Sequence, residues 1–260
     1  MQRMDAPPPP YAPAVTDDRL FGGALRLFQP AKGHRAGTDG VLLAAATPVR
    51  ATRIADLGAS TGLVGLRAAQ SNPQADVLLI ERDPVMLALA ERNIAANNLS
   101  GRVQMLEADC LAKPFADPWR ASFDCVLTNP PYFEPGASRR SPHKGDAHVM
   151  TALDIGANAL ELWLRRSISL LKPKGRIIAI HRADALPALL ACLSGRVGGL
   201  ALKFVHPQVH QPAMRVLVSG TRGSRAPLTI LEPLVLHEPD GSFAPLAQRI
   251  NLGSDRLNLS

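Results

Sequence analysis

The residues best suited to chemistry are Asn129, Pro130, Pro131, Tyr132 and Phe133, which follow an apolar run ending at Thr128. Consecutive prolines keep the backbone extended and rigid, so the Asn129 side chain and the Pro130 carbonyl are aimed together. Two acceptors held this way suit a planar amine or amide, whose nitrogen is a poor nucleophile because its lone pair is delocalised. Accepting both N–H groups draws that nitrogen toward tetrahedral geometry and turns the lone pair to an incoming electrophile. Tyr132 adds a ring on which a flipped or single-stranded base can stack. Taken alone, Asn-Pro-Pro-Tyr is also an ordinary turn, because both residue types are common in turns. The loop upstream decides between the two.

There Ile54, Ala55, Asp56 and Leu57 read as a strand entering Gly58, Ala59, Ser60, Thr61 and Gly62. A dinucleotide fingerprint needs glycines at G-x-G-x-x-G spacing, and the third and sixth places here hold Ser60 and Leu63, which disfavours a pyrophosphate ligand. S-adenosylmethionine carries no phosphate, and Gly58 and Gly62 let backbone approach its methionine and ribose. Displacement at its sulfonium methyl releases a neutral thioether, so positioning and matched acceptors suffice, without a metal or a nucleophilic side chain. The candidate contacts are Asp56, Gly58, Ala59, Ser60, Gly62, Glu81, Arg82, Asp109, Cys110 and Asn129. Glu81 closes the second strand, where a carboxylate can accept from both ribose hydroxyls. Asp83 better suits capping the helix that opens at Pro84. Asp109 follows the third strand, where it can meet the adenine amino group.

These residues need a scaffold that brings strand ends together. Short apolar runs at 54–57, 77–81, 103–106, 123–128, 176–180, 200–206 and 214–219 alternate with helical patterns at 61–70, 84–97, 153–171 and 183–193. That alternation predicts an α/β fold with a seven-stranded, mostly parallel sheet covered by helices on both faces. Residues 171–175 read as a helix stop and a turn into the next strand. Open sheets of this kind bind ligands beyond the carboxyl ends of their strands, which is where each candidate falls. Residues 1–16 include Pro7 to Pro10 and Pro13 and are expected to be a disordered lead-in. Residues 17–52 form an N-terminal segment, and 53–260 the main domain.

At 260 residues and 46% hydrophobic composition the chain has ample core for one domain. The sequence shows no membrane span and no signal-peptide layout, so a cytoplasmic location is expected. Cys110, Cys125 and Cys192 are scattered and make no C-x-x-C pair, so they read as small buried hydrophobes, with no disulfide or zinc site. Lys plus Arg exceeds Asp plus Glu, 29 to 22, which favours a polyanionic partner without naming it. The stretch 134–148 carries Arg139, Arg140, His143 and Lys144, and is either a solvated connection or a loop that contacts phosphates beside the site. Arg196, Lys203, Arg215, Arg222 and Arg225 are candidates for a further phosphate-binding face.

On the motifs at 56–62 and 129–132, the chain resembles the class I, Rossmann-like N6-adenine methyltransferases. Among these it is similar to the bacterial tRNA adenine methyltransferases that modify the anticodon loop of a valine tRNA. The likeness extends upstream to Gly37, Thr38, Asp39, Gly40, Val41, Leu42 and Leu43, and over most of the chain. It implies S-adenosylmethionine as cofactor and RNA, in particular tRNA, as substrate. Thr38 and Asp39 are then further cofactor contacts from a segment closing over the methionine end. Asn129, Pro130 and Tyr132 become the catalytic residues, with Tyr132, Phe133, Arg139, Arg140 and Lys144 on the substrate. Read physically, Gly37 and Gly40 form a tight turn ahead of an apolar helix, with Thr38 or Asp39 as its cap. His34 and Arg35 either face substrate or are solvated. Ser60 departs from the family's usual glycine, and its side chain can crowd the cofactor. A glutamine N5-methyltransferase acting on release factors would use the same Asn-Pro-Pro-Tyr chemistry. A small-molecule methyltransferase, or a binding protein that kept the fold, are more distant alternatives.

Overall fold

The computed structural model describes residues 14–33, 35–112, 115, 117–131 and 159–259. Of the sequence expectations, the lead-in through residue 13, His34, Tyr132, Phe133, and the basic stretch with Arg139, Arg140 and Lys144 lie outside the described residues.

The described residues begin with an antiparallel hairpin, β1 (Val15–Leu20) and β2 (Leu25–Pro30), followed by helix α1 (Thr38–Ala45). Then come β3 (Arg53–Leu57), α2 (Leu63–Ser71), β4 (Asp76–Glu81), α3 (Pro84–Ala96), β5 (Val103–Glu107) and β6 (Phe123–Thr128). The second half contains α4 (Ala159–Leu170), β7 (Leu171–Arg182), α5 (Leu186–Leu193), β8 (Val197–Gln208), β9 (Arg215–Arg222), β10 (Thr229–Ile230), β11 (Leu234–His237) and α6 (Pro245–Asn251).

The main sheet runs β10-β8-β9-β7-β6-β3-β4-β5, with β11 also paired to β8. Every pairing is parallel except those of β9, which is antiparallel to both β7 and β8. All seven expected strands are present. The sheet has nine because β10 and β11 add to its edge; both are short and flanked by Pro227 and Pro233, which hid them from a pattern reading. The N-terminal hairpin was also unread, and β1 starts at Val15, inside the expected lead-in.

Alternation along each strand builds two cores. Ile54, Leu79, Leu127 and Ile178 face the layer that includes α1, α2 and α6, whereas Ala55, Leu78, Val126 and Ile177 face α4 and α5. The strands are apolar on both faces because helices cover both, as a parallel sheet requires. The expected helix stop at 171–175 has a different form. β7 begins at Leu171 itself, and its register against β6 jumps between Phe123 and Cys125, with Lys174 at φ +65°. The turn is therefore a bulge within the strand. Asp83 caps α3 as expected, its Oδ1 accepting from Val85 N at 2.8 Å and Met86 N at 3.4 Å.

Candidate active site

β3 lies between β4 and β6, and the chain leaves β3 toward one neighbour and reaches the other only after β5. That reversal opens a crevice at the carboxyl ends of the three strands, where 58–62, Glu81 and Asn129 all fall.

The glycine loop is fixed to its surroundings by backbone bonds. Gly58 N and Ala59 N both donate to Ile80 O, at 2.9 and 3.1 Å. Gly58 has φ +78°, and a Cβ there would stand 2.9 Å from the Trp163 ring, so both backbone angle and space require glycine. Ser60 has φ +50°, the left-handed conformation that L side chains adopt at a cost, which explains why glycine is the usual residue at this place. Its N–H donates to Glu81 Oε2 at 2.9 Å.

Glu81 is 6% exposed, and its other oxygen accepts from Arg82 N at 2.8 Å and Asp83 N at 3.0 Å. A carboxylate offers about four lone-pair directions. With three taken by backbone N–H groups, one remains for a ligand hydroxyl, where the sequence reading allotted two.

Asp56 occupies a different place from the other candidates. It is 2% exposed and its Oδ2 accepts from Gly65 N at 2.8 Å, so it serves the first turn of α2, whose N-cap is Gly62. Burial pushes this carboxyl up to about 7; the Gly65 bond opposes the rise and the nearby Glu81 adds to it. Asp109 accepts from Leu111 N at 2.8 Å and lies 3.6 Å from Arg82 Nη1, while Cys110 is buried, its thiol pKa pushed up by desolvation.

Thr38 and Asp39 do not cap α1 by their side chains. The N-cap is Gly37, Thr38 already belongs to the helix, and Asp39 receives Arg215 Nε on both oxygens, at 3.0 and 2.9 Å. Gly40 lies within the helix, where a Cβ would meet Leu63 at 2.4 Å; its smallness sets the approach of α1 to α2. Arg35 is paired with Asp18. Four of the five proposed phosphate ligands bond to the protein: Arg196 to Glu161, Lys203 to Glu232 O, Arg215 to Asp39, and Arg222 to Leu171 O.

Asn129 stands at the end of β6 next to buried Pro130, and its Oδ1 is buried with no hydrogen-bond partner among the described residues. Around it are groups the sequence reading passed over. Thr128, fully buried, donates its hydroxyl to Leu57 O at 2.9 Å and accepts from Trp163 Nε1 at 2.8 Å. His181 on β7 is buried; desolvation lowers its pKa, while the Pro131 carbonyl opposes that shift by favouring the protonated ring. Asn93, on α3, bonds to Thr61 O at 2.9 Å from behind the glycine loop. A helix-borne Trp and Asn and a strand His carry no local motif, so only tertiary placement reveals them.

Residues 36–180 match the methyltransferase small domain family. The chain is 32% identical over 222 residues to a tRNA1(Val) (adenine(37)-N6)-methyltransferase from Porphyromonas gingivalis, covering 81% of this chain and 84% of the relative. A protein of the same name from Erwinia tasmaniensis is 30% identical, covering 81% and 83%. The solved structure of a predicted O-methyltransferase from Agrobacterium tumefaciens superposes with TM-score 0.69 at 30% identity, over 85% of this chain and 98% of that one. A Thermus thermophilus 16S rRNA guanine-N2 methyltransferase, solved with S-adenosylmethionine and guanosine, shares the fold with TM-score 0.54 at 20% identity, over 84% of this chain and 53% of its own. With its parallel switch-point sheet, glycine loop and Asn-Pro-Pro-Tyr sequence, the chain belongs to the methyltransferase small domain family, among the S-adenosylmethionine-dependent enzymes of the tRNA1(Val) (adenine(37)-N6)-methyltransferase group.

Proposed function

We propose that this enzyme methylates the N6 amine of an adenine in tRNA, the anticodon-loop adenine at position 37 named for its relatives. The observation that carries the reading is the buried Asn129 Oδ1, which has no hydrogen-bond partner among the described residues. Leaving such an acceptor unsatisfied costs about 1–3 kcal/mol, a cost offset when a substrate N–H arrives. Asn129 Oδ1 and the Pro130 carbonyl accept the two N–H bonds of the exocyclic amine, which pyramidalises the nitrogen and turns its lone pair toward the glycine loop. Tyr132 stacks on the adenine ring.

The loop fits S-adenosylmethionine on its own chemistry: one acceptor direction of Glu81 remains for a ribose hydroxyl, and Asp109 lies one strand further for the adenine. The cofactor supplies an electrophilic methyl on a sulfonium that departs neutral. Thr38 and Asp39 cover the methionine end, with Arg215 fixing the Asp39 carboxylate. Asp56 contributes by holding α2 and the loop in register. With tRNA as substrate the enzyme works in the cytoplasm.

The test is transfer of tritium from labelled S-adenosylmethionine to bulk tRNA, rRNA and purified release factor, followed by nucleoside analysis. N6-methyladenosine in tRNA is expected. Label confined to release factor would replace the reading by glutamine methylation at the same turn, and label on oxygen would remove the amine from the mechanism.

A further inference from the structure

Asn93 on α3 and Asn97, the C-cap residue of that helix, lie one turn apart and face the hairpin strand β2. Each side-chain amide pairs with a residue of β2 as a neighbouring strand would. Asn93 Oδ1 accepts from Phe28 N at 2.6 Å and its Nδ2 donates to Phe28 O at 2.9 Å; Asn97 does the same with Arg26 N at 2.9 Å and Arg26 O at 2.7 Å. The two amides thus satisfy the outer edge of β2, which among the described residues otherwise has only β1 beside it.

The two asparagines differ in one respect. Asn93, at 0% exposure, sends a second Nδ2 bond to Thr61 O at 2.9 Å, inside the glycine loop, whereas the second bond of Asn97 stays on its own helix at Asn93 O, 2.7 Å away. Asn93 therefore spends both donors and one acceptor on direct bonds to two separate chain segments. β2 leads directly into α1, which carries Thr38 and Asp39.

We infer that Asn93 is a positioning residue for the methyl donor: it locks the glycine loop to the N-terminal hairpin so that the loop and the 38–39 segment reach the cofactor in one fixed relation. The inference rests on the reading that 58–62 holds S-adenosylmethionine. Asn97 docks the hairpin but does not reach the loop, so it serves as a matched control on the same helix face.

The experiment measures the Kd of S-adenosylmethionine by calorimetry, kcat on tRNA at saturating cofactor, and urea stability, for Asn93→Ala, Asn93→Asp, Asn97→Ala and Glu81→Ala in the full chain. The Asp variant keeps the acceptor for Phe28 N and loses both donors. Both Asn93 variants should weaken cofactor binding about tenfold, the equivalent of one buried hydrogen bond, with kcat nearly unchanged. Asn97→Ala should lose stability and keep cofactor affinity. Equal affinity losses at 93 and 97, in proportion to stability, would reduce Asn93 to hairpin docking and overturn the inference while a Glu81 effect upheld the cofactor site. Unchanged affinity in Glu81→Ala and both Asn93 variants would overturn site and inference together. Should the Asn93 variants fail to fold, amide exchange in the native protein decides. Saturating S-adenosylmethionine should slow exchange at Phe28 N, held by Asn93, more than at Arg26 N, held by Asn97; equal protection would again overturn the inference.

Discussion

Trp163 Nε1 donates to Thr128 Oγ1 at 2.8 Å, and that hydroxyl donates to Leu57 O at 2.9 Å, so one buried hydroxyl joins α4 to the ends of β6 and β3. Leu57 precedes Gly58 and Thr128 precedes Asn129, which means the same oxygen fixes the loop and the turn relative to each other. Trp163→Phe deletes the N–H together with the outer part of the indole, whose Cζ2 and Cη2 lie against Gly58. Urea unfolding should show a loss larger than the net worth of a typical hydrogen bond, about 1 kcal/mol, because packing against Gly58 is lost as well. Turnover should fall severalfold with cofactor affinity unchanged, because the bond sets the turn's position. Unaltered turnover would mean that the strands alone hold Asn129 in place.

Asn129→Ala removes one of the two acceptors for the amine and also a buried oxygen with no hydrogen-bond partner among the described residues. Turnover should drop by about 10²-fold or more, as when an oriented group at a reacting centre is deleted. Calorimetry should find S-adenosylmethionine binding intact, and the variant should be no less stable, since an unsatisfied polar atom has been taken out of the core. A variant that keeps full activity would refute the role assigned to the turn.

Ser60 carries a side chain at φ +50°. Left-handed backbone costs an L residue roughly 1–2 kcal/mol, while glycine loses about 0.5–1 kcal/mol more chain entropy on folding. The first effect is larger, so Ser60→Gly should stabilise the protein by about 0.5–1 kcal/mol, measured by thermal or urea unfolding. The N–H bond to Glu81 survives the change because it belongs to the backbone. A destabilised variant would show that the Ser60 hydroxyl has a partner worth more than the strain.

Seven strands and the loop–turn pairing were legible because buried parallel strands are continuous apolar runs, and because glycine and proline constrain backbone by their own geometry. The Asp83 cap was legible for the same reason: Asp followed by Pro is a local signal. What escaped depended on contacts between distant segments. The sequence around Thr38 and Asp39 suggests a cap, yet Asp39 is drawn to Arg215, 176 positions away. β1 is too polar to read as a strand, and the outer edge of its partner β2 is satisfied by Asn93 and Asn97 from a helix and its C-cap. Asp56, named as a cofactor contact from its place before Gly58, turns into the core to bond Gly65 N. Its position was legible and its direction was not.

That direction makes Asp56 a pH-dependent element of stability. The folded carboxyl is pushed up to about 7 by burial, against an ordinary value of 3.8. Between those values the folded state keeps a proton that the unfolded chain has released, so this group's contribution favours folding less and less as pH rises from about 4 to about 7, then levels off. Asp56→Asn keeps an oxygen for Gly65 N and cannot ionise. Near pH 4 the variant should match the parent, and by pH 8 it should be the more stable, by on the order of 2–4 kcal/mol. The measurement is urea unfolding of both proteins across pH 4–8, with the difference between them as the readout, since all other titrating groups cancel. Parallel curves would mean that Asp56 stays ionised in the fold at every pH tested, its charge held by the N-terminus of α2 rather than opposed by burial.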